Sequence, residues 1–347
     1  MAWKGSYWSL DEERMRVRDG IVEVLDSPSS HQRKRTLVTV VTPSLNQAQF
    51  LEQTIDSVLS QDHPAIEYIV MDGGSRDGSA DIIRRHAHRL AFWKSTPDGG
   101  QAAAINAGWT RAQGDVLAYL SSDDSYLPGA LAAVVRVFDE HPDVGLVHGQ
   151  GHWVGRTGKP QQTTRMKPTA QSLVDSLGSL PQPAVFIRRS VFERLGLLDE
   201  SLHFALDKKY YLRVIGNVPF ISLDRPLACL RMHRGSKSVS SGMKFAPDML
   251  RVGKRIADHP EDYPRFSIDP VRVMATAHAS AAKFLYMGGQ FRCAASELVR
   301  SVRLAPTGKV RLLGRELPRF VLRAVAGRAG YLRGSNMLRR LEGRMRG

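Results

Sequence analysis

The sequence predicts an α/β protein: a mainly parallel β-sheet flanked by helices, followed by a helical, basic C-terminal extension. Three observations carry that prediction. Short β-branched runs alternate with longer helical patterns from Thr36 onward, and polar, Gly-rich segments directly follow the strands. One apolar run, Leu117-Ala118-Tyr119-Leu120, ends abruptly in Ser121-Ser122-Asp123-Asp124. Two adjacent carboxylates at a strand end are costly unless a cation or hydrogen-bond donors compensate them. A divalent metal carrying a phosphate-containing ligand is the natural compensation.

The elements follow in order. Strands are predicted over 37–42, 66–71, around Phe92, over 116–120 and over 144–148, with helices over 50–60, 78–88, 101–112 and 128–140 between them. Such βα alternation favours parallel pairing with helices on both faces, and ligands in that architecture collect beyond the carboxyl ends of the strands. Residues 150–180 are polar with scattered Gly and Pro and read as irregular strands and loops facing an acceptor. A short helix over 190–198, a second helix over 207–214 and a strand over 227–232 ending at His233 come next. From Val271 the spacing of Ala275, Ala279, Ala282 and Leu285 predicts a packed helix, and Gly288-Gly289 then separates it from a partner helix over 291–304. The expected organisation is an N-terminal extension over 1–35, a main domain over 36–240, and a helical region over 241–347 that is basic from about residue 300. The extension carries Trp3, Tyr7, Trp8 and Leu10, which suit docking, while 27–35 has the composition of a linker.

Charge and cysteine content exclude several classes. The net charge of +15 suggests nucleic acid at first, but residues 300–347 hold thirteen Lys or Arg against Glu316 and Glu342, leaving only +4 for the preceding 299 residues. The basic character belongs to the tail, which has only two aromatic residues, Phe320 and Tyr331, among its arginines and no recognisable module, so no nucleic-acid partner is expected. Cys229 and Cys293 have no metal-ligand or disulfide-framework spacing, which suggests a reducing compartment. The first twenty residues lack an apolar leader segment, and no run of 18 uncharged apolar residues occurs. A cytoplasmic protein is expected.

Four polar segments follow successive strands: Pro43-Ser44-Leu45-Asn46, Asp72-Gly73-Gly74-Ser75, Pro97-Asp98-Gly99-Gly100-Gln101 and Ser121-Ser122-Asp123-Asp124. Each alone reads as an ordinary turn. Their occurrence at successive strand ends predicts one shared crevice.

Together with Arg76-Asp77-Gly78-Ser79 and Ala104-Ile105-Asn106, these motifs occur in the order and spacing of the family 2 glycosyltransferases, which the chain resembles over about 36–240. The resemblance implies a GT-A, Rossmann-like fold and an inverting, metal-dependent transfer of a sugar from a nucleoside-diphosphate sugar (UDP, GDP or dTDP form) to an acceptor hydroxyl. A cell-surface polysaccharide or glycolipid is the implied product, built on a glycan or lipid-linked acceptor. By position, Asp124 is the implied ligand of Mn²⁺ or Mg²⁺, Asp123 contacts ribose or sugar, and Asp72 meets the nucleoside. Asp98, Gln101 and Asn106 lie where the family contacts base and sugar, and Pro43, Ser44 and Asn46 belong to the first strand end. His233, in Leu230-Arg231-Met232-His233-Arg234-Gly235-Ser236-Lys237, matches a loop whose histidine completes the metal shell in some relatives. Asp207, in Phe204-Ala205-Leu206-Asp207-Lys208-Lys209-Tyr210-Tyr211, matches the catalytic base at the start of a helix, whose free N–H groups are expected to lower its pKa. Many relatives carry a second acid two places on, where this chain has Lys209. Pro181-Gln182-Pro183-Ala184 resembles the acceptor-side segment.

Two other classes use similar residues. A non-catalytic nucleotide-sugar binding module would need no Asp207, and a nucleotidyltransferase on a related fold would leave the motif around Asp207 without a purpose. In the tail, Arg311, Arg315, Arg319 and Arg323 recur every four residues beside Leu313, Leu317, Phe320 and Val321. That pattern suits an amphipathic segment on an anionic membrane surface, which implies peripheral attachment. It equally suits a solvated helix face packed on the domain or on a partner subunit.

Overall fold

The structure is a computed structural model that describes residues 15–18, 21–24, 35–164, 166–237 and 241–305. The chain divides into two units, Met1–Arg35 and Thr36–Gly347. In the first, β1 (Met15–Arg18) and β2 (Ile21–Val24) pair antiparallel. The N-terminal aromatic residues, the linker over 27–34 and the basic stretch from 306 onward lie outside the described residues.

The second unit begins with β3 (Val38–Ser44), α1 (Ala48–Leu59), β4 (Ile66–Asp72), α2 (Ser79–His86), β5 (Phe92–Ser95), α3 (Gln101–Arg111) and β6 (Val116–Tyr119). There follow β7 (Ser125–Tyr126), α4 (Ala130–Glu140), β8 (Leu146–Val154), β9 (Pro160–Thr163), α5 (Ala170–Ser176), β10 (Val185–Arg188), α6 (Arg189–Leu195), α7 (Leu206–Ile215) and β11 (Phe220–Arg231). It closes with α8 (Phe245–Asp258), α9 (Pro270–Met287) and α10 (Phe291–Leu304).

The strands form one sheet in the order β5-β4-β3-β6-β10-β8-β11-β7, with β9 paired to β8. β5, β4, β3 and β6 are mutually parallel, as the βα alternation requires, and β8 and β11 are also parallel. The predicted α/β class with flanking helices is therefore the observed one. Beyond the prediction, β10 inserts antiparallel between β6 and β8. Its four residues follow Pro181 and Pro183 and run straight into α6 at Arg189, too short and too interrupted for a period-2 pattern to be read. The predicted strands over 144–148 and 227–232 extend to Leu146–Val154 and Phe220–Arg231, and they pair along much of their length.

Side-chain alternation along the central strands splits the interior into two layers. Val41, Leu117 and Tyr119 face a cluster with α3 and α7, while Val38, Val40, Val116 and Ala118 face one with α1, α2 and α4. Residues after 240 belong to the first layer: Met249, Val252 and Ile256 of α8 and Val273 and Ala277 of α9 join Leu206 and Tyr210 of α7. α9 starts cleanly because Asp269 accepts from Val271 N–H and Arg272 N–H, with Pro270 at its first position. No helix among the described residues is long and apolar enough to cross a membrane.

α3 lies unusually close to β3. A Cβ built on Gly108 would fall 2.5 Å from Val41 Cγ1 and 2.8 Å from Cγ2, and Val41 is fully buried. Gly108→Ala gains about 1 kcal/mol of helix propensity but overpacks a stiff β-branched side chain at a cost of about 1–3 kcal/mol. The expected outcome is a net lower Tm, read by thermal unfolding.

Candidate active site

The carboxyl ends of β3 and β6, the N-terminus of α3, the turn before β10, the N-terminus of α7 and the segment after β11 enclose one cavity of about 610 Å³. Pro43, Ser44, Asp98, Gln101, Asp123, Asp124 and Asp207 all line it. The structure thus brings together seven of the residues singled out from sequence, contributed by separate parts of the chain. Asn46, Asp72, Asn106 and His233 are not in the lining.

Those four hold the walls. Asn46, at φ +54°, donates its N–H to Ser75 Oγ (2.7 Å) and accepts Arg76 N–H at Oδ1 (2.9 Å), which joins the loops after β3 and β4. Asp72 is 2% exposed and accepts from Ser75 N–H (2.9 Å), Ser75 Oγ and Ser95 Oγ (2.7 Å), tying β4 to the end of β5. Asn106 bonds both backbone groups of Leu198, at 3.0 Å each, and donates to Glu200 Oε1 (2.8 Å), fixing the segment that leads towards α7. His233 Nε2 lies 3.0 Å from Asp123 Oδ2, directly behind the acid pair.

The acid pair is held by backbone and by one buried cation. Thr54 of α1 donates to the carbonyls of Ser122 (2.9 Å) and Asp124 (2.7 Å). Arg231, 5% exposed at the end of β11, donates its N–H to Asp124 Oδ1 (2.8 Å) and Nε–H to the Asp123 carbonyl (2.9 Å). Its guanidinium also reaches Gln53 Oε1 (2.7 Å) and the Arg156 carbonyl (2.9 Å), and it lies 4.8 Å from the centre of the Phe50 ring. Burial and the neighbouring Asp123 charge still drive the Asp124 carboxyl well above its ordinary range, with Arg231 opposing. An acid pair strained in this way is what a divalent cation relieves, and its hard oxygen donors suit Mg²⁺ or Mn²⁺. Among the described residues no three His, Cys, Asp or Glu side chains converge as a ready metal site, so Asp124 and Asp123 would need oxygen donors from a ligand to complete a shell.

Asp207 is the second residue of α7 and faces the same cavity. The helix N-terminus was expected to lower its pKa. Burial outweighs that effect and raises it, against the N–H and charge of Lys208 and the charge of Lys237. The two lysines after it do not form its ion pair. Lys208 Nζ donates to the Leu177 carbonyl (2.8 Å) and burial pulls its pKa down to about 8, while Lys209 pairs with Asp199. Lys237 spans the opening: Nζ donates to Gln101 Oε1 (2.8 Å) and to the His203 carbonyl (3.2 Å).

Other groups complete the walls. Ser44 Oγ is buried without a partner in the structure and lies at the cavity edge. Gln182 donates to the Tyr119 carbonyl (2.8 Å) and accepts from Ser121 Oγ (3.3 Å). Phe204, Phe245 and Phe284 also line the cavity, with ring centroids 5.2 Å and 5.0 Å apart in succession. The last two come from α8, in a stretch read from sequence only as part of a helical region, and from α9, whose spacing was read as packing.

The fold is thus a mainly parallel α/β sheet whose strand ends border one cavity lined by an acid pair and a third carboxylate. The pattern of the Glycosyl transferase family 2 matches residues 39–196. A glycosyltransferase of Mycobacterium tuberculosis, itself uncharacterized, is 32% identical over 182 residues, which are 51% of this chain and 68% of that protein. An uncharacterized glycosyltransferase of Nostoc is 37% identical over 115 residues, 32% of this chain and only 35% of the relative's length. The chain belongs to glycosyl transferase family 2. In fold it is similar to S. aureus TarS in complex with UDP-GlcNAc, with a TM-score of 0.57, 18% identity and coverage of 85% and 88% of the two chains. It is also similar to a mannosyltransferase of Pyrobaculum calidifontis in complex with GDP-Man and Mn²⁺, with a TM-score of 0.50, 19% identity and coverage of 83% and 81%.

Replacing Arg231 tests the clamp on the acid pair. Arg231→Met keeps side-chain bulk but leaves buried carbonyls without donors, so a stability loss of about 2–3 kcal/mol is expected in chemical denaturation.

Proposed function

We propose that the protein transfers a sugar from a nucleoside-diphosphate sugar to an acceptor hydroxyl by a single inverting displacement, with Asp207 as the base. The observation that carries this reading is that Asp123, Asp124 and Asp207, from separate parts of the chain, all line one cavity. The donor would lie along Pro43, Ser44, Asp98 and Gln101, with the unpartnered Ser44 hydroxyl available to it. Asp124 and Asp123, with His233 bonded behind Asp123, would hold Mn²⁺ or Mg²⁺. A divalent cation there supplies charge neutralisation for the diphosphate and for its departure. Lys237, which also lines the cavity, would add positive charge there.

In the displacement the acceptor oxygen forms its bond to the anomeric carbon while the bond from that carbon to the diphosphate oxygen breaks. The hydroxyl proton passes to the Asp207 carboxylate, and the nucleoside diphosphate leaves with the bonding electrons. The raised pKa of Asp207 makes it a stronger base than an ordinary aspartate. On the acceptor side, the Phe204, Phe245 and Phe284 rings suit the C–H face of a glycan or the stem of a lipid-linked acceptor. The UDP-GlcNAc and GDP-Man of the two structural neighbours support a nucleoside-diphosphate sugar as donor, and the Mn²⁺ of the second supports a divalent cation.

Asp207→Asn is expected to lower turnover at least 1,000-fold while leaving metal-dependent nucleotide binding within about twofold, whereas Asp124→Ala should weaken that binding, both measured by calorimetry and by release of nucleoside diphosphate. Turnover of Asp207→Asn within tenfold of the parent would remove the base.

The pH profile gives an independent check. Asp207 must be deprotonated to accept the proton, so activity is present above its pKa and lost as pH falls through it. Because burial raises that pKa, the acid limb of kcat/KM should sit above the value of about 3.9 of a free aspartate.

A further inference from the structure

α7 has no side-chain cap of its own: its N-cap position is Ala205. The three successive N–H groups that lead into it, of His203, Phe204 and Ala205, instead converge on a single oxygen, Oδ2 of Asp248, at 3.0, 2.8 and 3.3 Å. Asp248 is 4% exposed and comes from the first turn of α8, beyond the residues that match the family pattern. Its other oxygen lies 3.6 Å from Arg251 Nη1. Consecutive backbone N–H groups pointing to one spot form an anion-binding nest, and such a backbone shape is stable only while an acceptor fills it.

We infer that Asp248 is the positioning residue of the reaction: by filling this nest it holds the 203–205 turn in the shape that presents Asp207 to the cavity. The inference rests on the proposed role of Asp207 as base. The same turn sets two other groups at the reacting side. The His203 carbonyl accepts from Lys237 Nζ, which also holds Gln101 on the donor wall, and the Phe204 ring lines the acceptor wall beside Phe245. One buried carboxylate therefore fixes the base, the bridging ammonium and part of the acceptor surface. Apart from that one contact from Lys237 to Gln101, the donor-binding walls are built by the ends of β3 and β6 and by α3, without contact to Asp248. A small misplacement of a base costs rate steeply, because proton transfer requires hydrogen-bond reach.

The test compares Asp248→Ala, Asp248→Asn and Asp207→Asn in the full chain. Release of nucleoside diphosphate from the sugar nucleotide is measured with acceptor or with water as acceptor, alongside calorimetric binding of the nucleoside diphosphate with Mn²⁺. Asp248→Ala is expected to lower kcat about 100-fold with nucleotide affinity within about twofold. Asp248→Asn keeps an oxygen in the nest without the charge and is expected to lose about tenfold. Added formate should restore part of the rate to Asp248→Ala, since a small anion fits the vacated nest. A merely structural role would lower affinity and turnover together and would not respond to formate. Either that pattern or turnover of Asp248→Ala within threefold of the parent overturns the inference. If Asp248→Ala does not fold, Asp248→Asn decides alone: a kcat loss at constant affinity supports the inference and an unchanged kcat overturns it. Retained activity in Asp207→Asn would instead overturn the base assignment itself.

Discussion

The site depends on keeping two neighbouring carboxylates, Asp123 and Asp124, at a strand end that is largely out of water. Their mutual repulsion and desolvation would open the turn unless other groups opposed both, and the opposing groups come from far away in sequence. Thr54 on α1 takes the two carbonyls, Arg231 at the end of β11 takes a carbonyl and a carboxylate oxygen, and His233 takes Asp123. The parallel half of the sheet presents the acids, and the antiparallel insertion of β10 brings β8 and β11 round to supply Arg231 and His233. Part of the repulsion remains, as the raised Asp124 pKa records. That residue of unfavourable energy is what gives a binding site its affinity for positive charge.

The same logic runs in a weaker form at Asp207. A helix N-terminus stabilises a carboxylate, and burial destabilises it; here burial prevails. The lysines nearby moderate the effect without forming an ion pair with it, since each is held by another acceptor: Lys208 by Leu177, Lys209 by Asp199, Lys237 by Gln101 and His203. A direct ion pair would have lowered the pKa.

Much of the fold was legible because its signals are local. The β-branched runs at 37–42, 66–71 and 116–120 and the helices between them obey periodicities that a single sequence displays, and Ser121 to Asp124 and the stretch around Asp207 are short motifs with distinctive composition. The supporting residues were less legible. Asn46, Asp72 and Asn106 stand in motifs read as ligand contacts, yet in the structure their side chains hold loops to one another, a distinction that depends on which way a side chain turns. Arg231 stood in the motif around His233, but its hold on the acid pair depends on a burial that a sequence does not display. Asp248 gave no signal at all, because its partners lie more than forty positions earlier and are backbone groups, which carry no residue identity. The strand β10 was hidden by its brevity.

Two halves of the cavity have different origins along the chain. The wall that would grip the nucleotide is encoded within the first stretch of βα units, whereas the aromatic wall beside Asp207 is completed by Phe245 and Phe284 from helices that follow the sheet. Substitutions at Phe245 or Phe284 would change that wall without touching the loops after β3 and β6. Such a division lets one wall of the cavity vary independently of the other.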